Sequence, residues 1–268
     1  TETFVGQLLK WESERPDDVY LVQPLPCGDT EVFTWKEVAD QVKRMAAYLH
    51  SYGFPQNSQI AILGKNSAHW IMADLAIMLA GHVSVPLYPS LDSESANYIL
   101  DHSESRLLFV GKLDVADSAW ELYQQALPVD LPRVTLPLSP ADEVAESWEA
   151  LTTKYQPVTS GVVPNATELA TIVYTSGSTG KPKGVMHSCR SMFSVCYGFL
   201  DLINMSKNDR MLSYLPLAHA AERAIVETAS LYYGFSVYFS DNQETFVKDL
   251  QRARPTVFFS VPRLWLKF

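Results

Sequence analysis

Glycine, hydroxyl and lysine residues are concentrated in one run, Tyr174-Thr175-Ser176-Gly177-Ser178-Thr179-Gly180-Lys181-Pro182-Lys183-Gly184. The glycines allow successive backbone N–H groups to converge on a single anion. Four hydroxyl side chains add hydrogen-bond donors, and Lys181 and Lys183 add positive charge. The run therefore predicts a phosphate-binding loop, and this interpretation is favoured over the alternative, a Gly/Ser-rich surface linker.

The spacing of this loop differs from that of a Walker A loop. A Walker A loop needs a glycine five residues before the Gly-Lys pair and a Ser or Thr after the lysine, but Thr175 and Pro182 occupy those places. The loop is predicted to join a strand at 169–175 to a helix at 187–203, where open α/β sheets bind ligands. Pro182 disfavours helix at Lys181, so the helix is expected to begin later.

A second candidate for chemistry is His219, which follows the sequence Leu-Pro-Leu-Ala and opens a predicted helix at 218–233. A histidine at this position acts either as a ligand-binding group or as a helix cap, and the residues alone leave both readings open. For the neighbouring Glu222 and Arg223, a structural salt bridge or an orienting pair is favoured over a catalytic role.

Composition excludes several classes of protein. The 268 residues carry a formal net charge of -9 and a pI near 5.1, which would repel a phosphate backbone, so nucleic acid is not expected as a partner. The three cysteines form no CxxC pair and indicate a reducing compartment. The longest apolar stretch, 70–86, contains Asp74 and His82 and predicts a buried helix and strand rather than a bilayer span.

Strand and helix patterns alternate along the chain. Strands are predicted at 59–63, 82–87, 106–110, 133–136, 169–175, 210–214, 236–239 and 256–260. Helices are predicted from the Thr34–Glu37 capping box to Gly53 and at 67–79, 93–102, 115–126, 141–154, 187–203, 218–233 and 245–252. This alternation predicts an α/β fold with largely parallel sheets covered by helices on both faces. The irregular segment 137–164 predicts a boundary between a first subdomain, 1–164, and a second, 165–268.

The two motifs together resemble the adenylate-forming, AMP-binding superfamily. The glycine-rich run is similar to that superfamily's signature, and Leu215-Pro216-Leu217-Ala218-His219 followed by Glu222-Arg223 resembles the motif of long-chain fatty acyl-CoA synthetases. Shorter similarities occur at 33–35, 66–70, 81–88 and 261–263, so the resemblance covers nearly the whole chain from about Leu8. The superfamily also contains luciferases and peptide-synthetase adenylation domains.

The resemblance implies a two-step reaction. A fatty carboxylate attacks the α-phosphate of ATP, with Mg²⁺, and the CoA thiol then attacks the acyl-adenylate. It implies phosphate contacts from the loop residues Thr175, Ser176, Gly177, Ser178, Thr179, Gly180, Lys181, Lys183 and Gly184. It places His219 near the acyl carboxylate and the α-phosphate. Some relatives have an aromatic gate just after this histidine, and residues 220–223 contain no aromatic side chain.

Family members are much longer than this chain, so the chain is predicted to be an N-terminal part that is inactive alone. The ligands for Mg²⁺ and ribose and a mobile C-terminal domain are expected beyond Phe268. Two other functions remain open, namely activation of an aryl or amino-acid carboxylate and a non-catalytic nucleotide- or acyl-binding module.

A cytoplasmic location is expected, with peripheral membrane contact and oligomeric state left open. An acyl tunnel walled by Met192, Cys196, Phe199 and 231–233 is considered, but core packing is favoured.

Overall fold

The computed structural model of the protein describes residues 2–114, 117–159, 163–175 and 181–260. The strands are β1 (Val19–Pro24), β2 (Thr30–Thr34), β3 (Gln59–Leu63), β4 (Val83–Leu87), β5 (Leu108–Val110), β6 (Arg133–Thr135), β7 (Glu146–Ser147), β8 (Leu169–Thr175), β9 (Lys183–Ser188), β10 (Arg210–Ser213) and β11 (Ser236–Phe239). The helices are α1 (Phe4–Glu14), α2 (Trp35–Ser51), α3 (Ala68–Leu79), α4 (Ser93–His102), α5 (Asp117–Ala126), α6 (Trp148–Lys154), α7 (Cys189–Val195), α8 (Ala220–Glu222), α9 (Ala229–Tyr233) and α10 (Phe246–Ala253). π-Helical turns at Cys196–Leu200 and Arg223–Thr228 extend α7 and join α8 to α9.

Within these residues the strands form two sheets. The larger has the order β7-β6-β5-β3-β4-β8-β9 and is parallel except for the antiparallel pair β8 and β9. The smaller has the order β10-β11-β1-β2 and is parallel except for β1 and β2. The predicted α/β class with largely parallel sheets is thereby confirmed. Both sheets combine strands from before and after residue 164, and the proposed subdomain division at that point stays a prediction.

Strand β3 shows how the larger sheet is covered on both faces. Ile60 and Ile62 belong to the core cluster that includes α1, α2 and α3. Ala61 and Leu63, which alternate with them, belong to a second cluster with residues of α4 and α5. Successive side chains of a strand point to opposite faces, so a strand buried on both faces reads as a continuous apolar run. This run is what the sequence shows at 59–63.

Two helix starts follow from capping residues visible in the sequence. Thr34 Oγ1 accepts a hydrogen bond from Glu37 N at 3.3 Å, and the Glu37 carboxylate accepts one from Thr34 N at 2.8 Å. This is the predicted capping box. Ser67 Oγ accepts from Trp70 N at 3.1 Å and begins α3, every residue of which is buried. No helix in the described part of the chain has both the length and the apolarity needed to span a bilayer.

Some predicted elements are wrong or were missed. The helix predicted at 141–154 is shorter, because Asp142 binds Arg133 Nε at 2.7 Å and Ser147 caps α6 instead. The strand predicted at 256–260 does not form, although Thr256 N bonds to Arg210 O at 3.0 Å beside β10. Sequence patterns did not predict α1, β1 or β2. The short family-like segment at 261–263 lies outside the described residues.

Two glycines permit a close approach at the carboxyl ends of the neighbouring strands β3 and β5. A Cβ placed on Gly64 would lie 2.9 Å from Gly111 Cα, which is backbone and has no flexible side chain to move aside. We therefore expect Gly64→Ala to lower the free energy of unfolding by about 1–3 kcal/mol through overpacking. Urea denaturation measures this change. Gly198→Ala is the control, because a Cβ there meets no atom within 4 Å, and an equal loss in both variants would contradict the packing argument.

Candidate functional site

The candidate site lies where the carboxyl edges of the two sheets meet. Asn66, three residues after β3, donates from Nδ2 to Ser213 Oγ at the end of β10 at 2.8 Å. Lys112, two residues after β5, donates to the backbone oxygen of Asp241 at 2.6 Å and forms an ion pair with its carboxylate. Thr175 ends β8 on the same edge, because β8 runs parallel to β4. Open α/β sheets bind ligands at this edge.

The glycine-rich loop, for which phosphate binding is predicted, connects two strands rather than a strand and a helix. Strand β9 follows the loop and pairs antiparallel with β8, and helix α7 begins only at Cys189. The prediction of a helix from residue 187 was therefore early by two residues, and the intervening strand was missed. Ser176, Gly177, Ser178, Thr179 and Gly180 lie outside the described residues, so their predicted phosphate contacts stay predictions.

The described ends of the loop are brought together by the hairpin. Thr175 and Lys183 are register partners, and both are exposed. Gly184 has a packing role, since a Cβ there would lie 2.7 Å from Ile172 Cγ2 and 3.2 Å from the Tyr174 ring. The Lys181 ammonium lies 5.4 Å from the centre of the Tyr98 ring on α4. Thr175 and Lys183 are thus exposed at the described ends of the loop, while Lys181 contacts an aromatic face.

A buried tyrosine attaches this hairpin to α4. The Tyr174 hydroxyl and His102 Nδ1 are 2.7 Å apart, and the two rings meet edge to face. Burial raises the pKa of the Tyr174 phenol above its ordinary value, and the neighbouring Tyr98 adds to the effect. The phenol therefore stays protonated near neutral pH. The loop begins one residue after this anchored position.

His219 is both exposed and the cap of α8. Its ring nitrogen Nδ1 accepts a hydrogen bond from Ala221 N at 3.1 Å. The backbone N–H of His219 donates to Pro216 O at 2.9 Å. In a neutral imidazole one nitrogen accepts and the other donates, so the bond to Ala221 places the proton on Nε2. The capping reading from the sequence is thus correct, and it is compatible with ligand binding, because His219 is exposed and Nε2–H has no partner among the described residues.

Glu222 and Arg223 are structural, as favoured from the sequence, but they do not pair with each other. The Glu222 carboxylate accepts from Ser213 Oγ and from Tyr214 N, both at 3.1 Å. Burial raises the pKa of Glu222 to about 8, although the hydrogen bonds from Tyr214, Ser213 and Leu215 oppose this rise. Near neutral pH the carboxyl is therefore predominantly protonated.

Arg223 belongs to a separate, fully buried cluster. Its guanidinium forms ion pairs with Asp74 on α3 and with Glu227, the latter at 3.0 Å. It also donates to Thr171 Oγ1 at 2.5 Å and to Ser84 Oγ at 2.9 Å. Burial, followed by the charge of Asp74, raises the pKa of Glu227 well above its ordinary value. Two buried carboxyl groups thus share one guanidinium.

Several of the residues considered for an acyl tunnel pack in the core, and the side chain of Phe199 lies outside what the structure describes. Met192, Cys196 and Leu231 are buried within the main core cluster, and the Tyr233 hydroxyl donates to Cys196 O at 3.1 Å. Core packing, which the sequence favoured, is thus what the described side chains show. Among the described residues no three His, Cys, Asp or Glu side chains are grouped to hold a metal ion. No described residue is therefore assigned to Mg²⁺.

The site residue that sequence reasoning missed is Asn66. It binds three groups of the segment that leads to His219, two of them in the backbone. The available signal was a polar residue just past the end of a buried strand, one position before a helix cap. The sequence indicated that 66–70 resembled a family segment, but it did not indicate which part of the chain Asn66 would contact.

The fold is an open α/β fold with a glycine-rich hairpin loop at the carboxyl edge of a largely parallel sheet, the edge at which such folds bind ligands. The chain belongs to the AMP-binding enzyme family, whose profile matches residues 8–268. It is 31% identical over 250 residues to fatty acyl-CoA synthetase A of Dictyostelium discoideum, covering 89% of this chain and 37% of that protein. It is 30% identical over 270 residues to human long-chain-fatty-acid–CoA ligase 1, covering 94% and 37% respectively. The chain thus spans little more than a third of the length of these curated relatives.

Solved structures show the same fold at lower identity. A benzoate CoA ligase from Burkholderia xenovorans LB400 aligns with a TM-score of 0.83 and 20% identity, over 99% of this chain and 51% of that one. An O-succinylbenzoate CoA synthetase from Bacillus subtilis in complex with AMP aligns with a TM-score of 0.75 and 22% identity, over 97% and 62%. These likenesses support the architecture and carry no argument about substrate.

Proposed function

We propose that the full-length protein activates a long-chain fatty acid with ATP and transfers the acyl group to CoA. The observation that carries this proposal is the similarity of about 30% to long-chain acyl-CoA synthetases over most of the chain. The geometry supports it, because the phosphate-loop hairpin and the His219 segment both follow strand ends at the carboxyl edges of the two sheets.

The chemistry proceeds in two displacements. A carboxylate oxygen attacks the α-phosphorus of ATP, the bond to the bridging oxygen breaks, and pyrophosphate leaves with the electron pair. The thiolate of CoA then attacks the acyl carbonyl, and AMP leaves. A carboxylate alone is a poor acyl donor because its leaving group would be oxide, and adenylation replaces oxide with a stable phosphate. ATP reacts as its magnesium complex in reactions of this type.

The residues of this chain supply hydrogen bonds and charge. Exposed Thr175 and Lys183 stand at the two ends of the loop, where a hydroxyl and an ammonium group suit phosphate oxygens. His219 offers Nε2–H rather than a basic lone pair, because Ala221 N occupies Nδ1. In the proposed site His219 is therefore a donor to the fatty carboxylate or to an α-phosphate oxygen, and it does not act as a general base.

Fatty-acid-dependent exchange of labelled pyrophosphate into ATP tests the proposal. Exchange with palmitate, and none with acetate, benzoate or amino acids, is the expected result. Exchange only with an aryl or amino acid would replace the fatty-acid assignment with another adenylating activity. Absence of exchange with every acid, from folded protein with Mg²⁺, would favour a binding module. The same assay on the 268-residue chain alone tests its predicted inactivity.

His219→Ala is expected to lower the rate of exchange on the order of 100-fold, because a donor aimed at developing charge is removed. His219→Asn separates this role from helix capping, since asparagine is a good N-cap but lacks the reach of Nε2. We expect His219→Asn to restore thermal stability without restoring the exchange rate. Recovery of the rate by the asparagine variant would show that capping alone accounts for the loss.

A further inference from the structure

Asn66 holds the segment that precedes His219 through every polar atom of its side chain. Its Nδ2 donates to Ser213 Oγ at 2.8 Å and to Leu215 O at 2.5 Å, and its Oδ1 accepts from Leu217 N at 2.8 Å. The side chain is buried. Asn66 is distant in sequence from these partners, so the bonds connect the end of β3 in the larger sheet to the end of β10 in the smaller one.

Ser213 and Glu222 add further hydrogen bonds to the same segment. The Ser213 hydroxyl accepts from Asn66 and donates to Glu222 Oε1 at 3.1 Å, so one hydroxyl links the two side chains. The same Glu222 oxygen accepts from Tyr214 N at 3.1 Å. Both Ser213 and Glu222 are buried. Hydrogen-bonded networks of this kind that exclude water fix a single geometry, because each lost partner would leave a buried polar group unpaired.

Together these bonds fix most of the backbone between β10 and α8. Tyr214 N, Leu215 O and Leu217 N are each bound by a side chain of Asn66 or Glu222. Pro216 has a restricted backbone, and its carbonyl accepts from His219 N at 2.9 Å. His219 is therefore the exposed end of a segment whose preceding residues have little freedom to move.

We propose that Asn66, Ser213 and Glu222, here called the clasp, are positioning residues that fix the His219 imidazole at the junction of the two sheets. The inference rests on the proposed function for its catalytic consequence, but the structural part stands independently of it. The clasp crosses between the sheets, so it also sets His219 relative to the carboxyl edge that carries the phosphate-binding loop. A displacement of about 1 Å at a reacting centre lowers a rate on the order of 100-fold.

Asn66→Leu removes all three bonds with little change in volume, and Ser213→Ala removes only the bridging hydroxyl. In the full-length protein, we expect Asn66→Leu to lower kcat for pyrophosphate exchange roughly 10- to 100-fold. The KM for ATP should change by less than about twofold, because positioning acts on the reacting atoms. Ser213→Ala should show a smaller loss in the same direction. Ser58→Ala is the matched control, since it removes a buried serine hydroxyl bonded to Pro55 O at 2.7 Å outside the clasp.

A double-mutant cycle decides whether the clasp acts through His219. In a His219→Ala background, Asn66→Leu should change kcat by less than about twofold, because the group being positioned is already absent. Additive losses in the double variant would overturn the proposal. If Asn66→Leu does not fold, the same cycle with Ser213→Ala gives the answer.

The ring nitrogens of His219 give a readout that needs no activity. In wild-type protein, ¹⁵N NMR should show the Nε2–H tautomer, and Asn66→Leu and Ser213→Ala should shift the population toward a mixture of tautomers. Ser58→Ala should leave it unchanged. Wild-type ring signals in both clasp variants would overturn the proposal. Absence of exchange in wild-type protein, together with the expected NMR shifts, would instead reject the proposed function and keep the clasp.

Discussion

Arg223→Met is expected to lower the free energy of unfolding by about 3–5 kcal/mol, because it breaks a buried ion pair by removing one partner. Arg223 is fully buried, and its guanidinium pairs with both Asp74 and Glu227. Methionine fills a similar volume but offers no positive charge and no donor. The fully buried Asp74 carboxyl would then lose its counter-charge and the donor that Arg223 Nη2 supplies.

The cost is large because the arginine also satisfies neutral groups on two strands. Thr171 Oγ1 and Ser84 Oγ both accept from its N–H groups, and these strands, β8 and β4, are neighbours in the larger sheet. One oxygen of Asp74 and one of Glu227 are already buried with no hydrogen-bond partner among the described residues. The cluster therefore has no spare donors with which to compensate for the loss.

Urea denaturation at neutral pH measures the effect as a fall in the midpoint with little change in slope. Arg15→Met is the matched control, because the Arg15–Asp18 pair is partly exposed and such pairs contribute less than about 1 kcal/mol. If Arg223→Met lowers the free energy of unfolding by less than about 1 kcal/mol, the interpretation that the cluster excludes water would be contradicted. Such a result would indicate that water reaches Asp74 on substitution.

Local patterns in the sequence predicted most of the elements that form the larger sheet. The apolar run at 59–63, the cap at Ser67 and the capping box at Thr34 each depend on neighbouring residues only, and all three are present as predicted. The phosphate chemistry assigned to the glycine-rich run likewise depends on residue types alone, and it stays a prediction. These features required no knowledge of which distant segments would meet.

Features that depend on distant pairing were missed or misassigned. Strand β9 is stabilised by pairing with β8, and its sequence at 183–188 has no strong alternation because most of its side chains are exposed. Strand β1 pairs with β11, more than 200 residues later in the chain. The residues around β1 therefore could not show that it is an interior strand of the smaller sheet. The adjacency of Glu222 and Arg223 suggested a pair, whereas Arg223 binds Asp74, 149 residues away.

Glu222 is expected to make stability fall as the pH rises. Burial raises its pKa from 4.5 to about 8 in the folded protein, so the folded state binds a proton more tightly than the unfolded state does. The stabilisation from this group is complete below about pH 4.5, falls through the interval between 4.5 and 8, and is lost above about pH 8. A tenfold change in proton affinity corresponds to about 1.4 kcal/mol. The free energy of unfolding that this group loses over the whole interval is therefore on the order of 5 kcal/mol.

Glu222→Gln isolates this contribution because glutamine resembles the protonated carboxyl and keeps an acceptor for Tyr214 N and Ser213 Oγ. The pKa of the buried Glu227 is also raised, so this group makes the free energy of unfolding fall with pH in both proteins. Its contribution cancels when the two proteins are compared. We therefore expect the free energy of unfolding of wild type, measured in urea from pH 5 to pH 9, to fall more steeply than that of the variant. The two curves should diverge increasingly up to about pH 8 and run parallel above it. Parallel curves over the whole range would mean that Glu222 is ionised in the folded protein, and that its hydrogen bonds outweigh its burial.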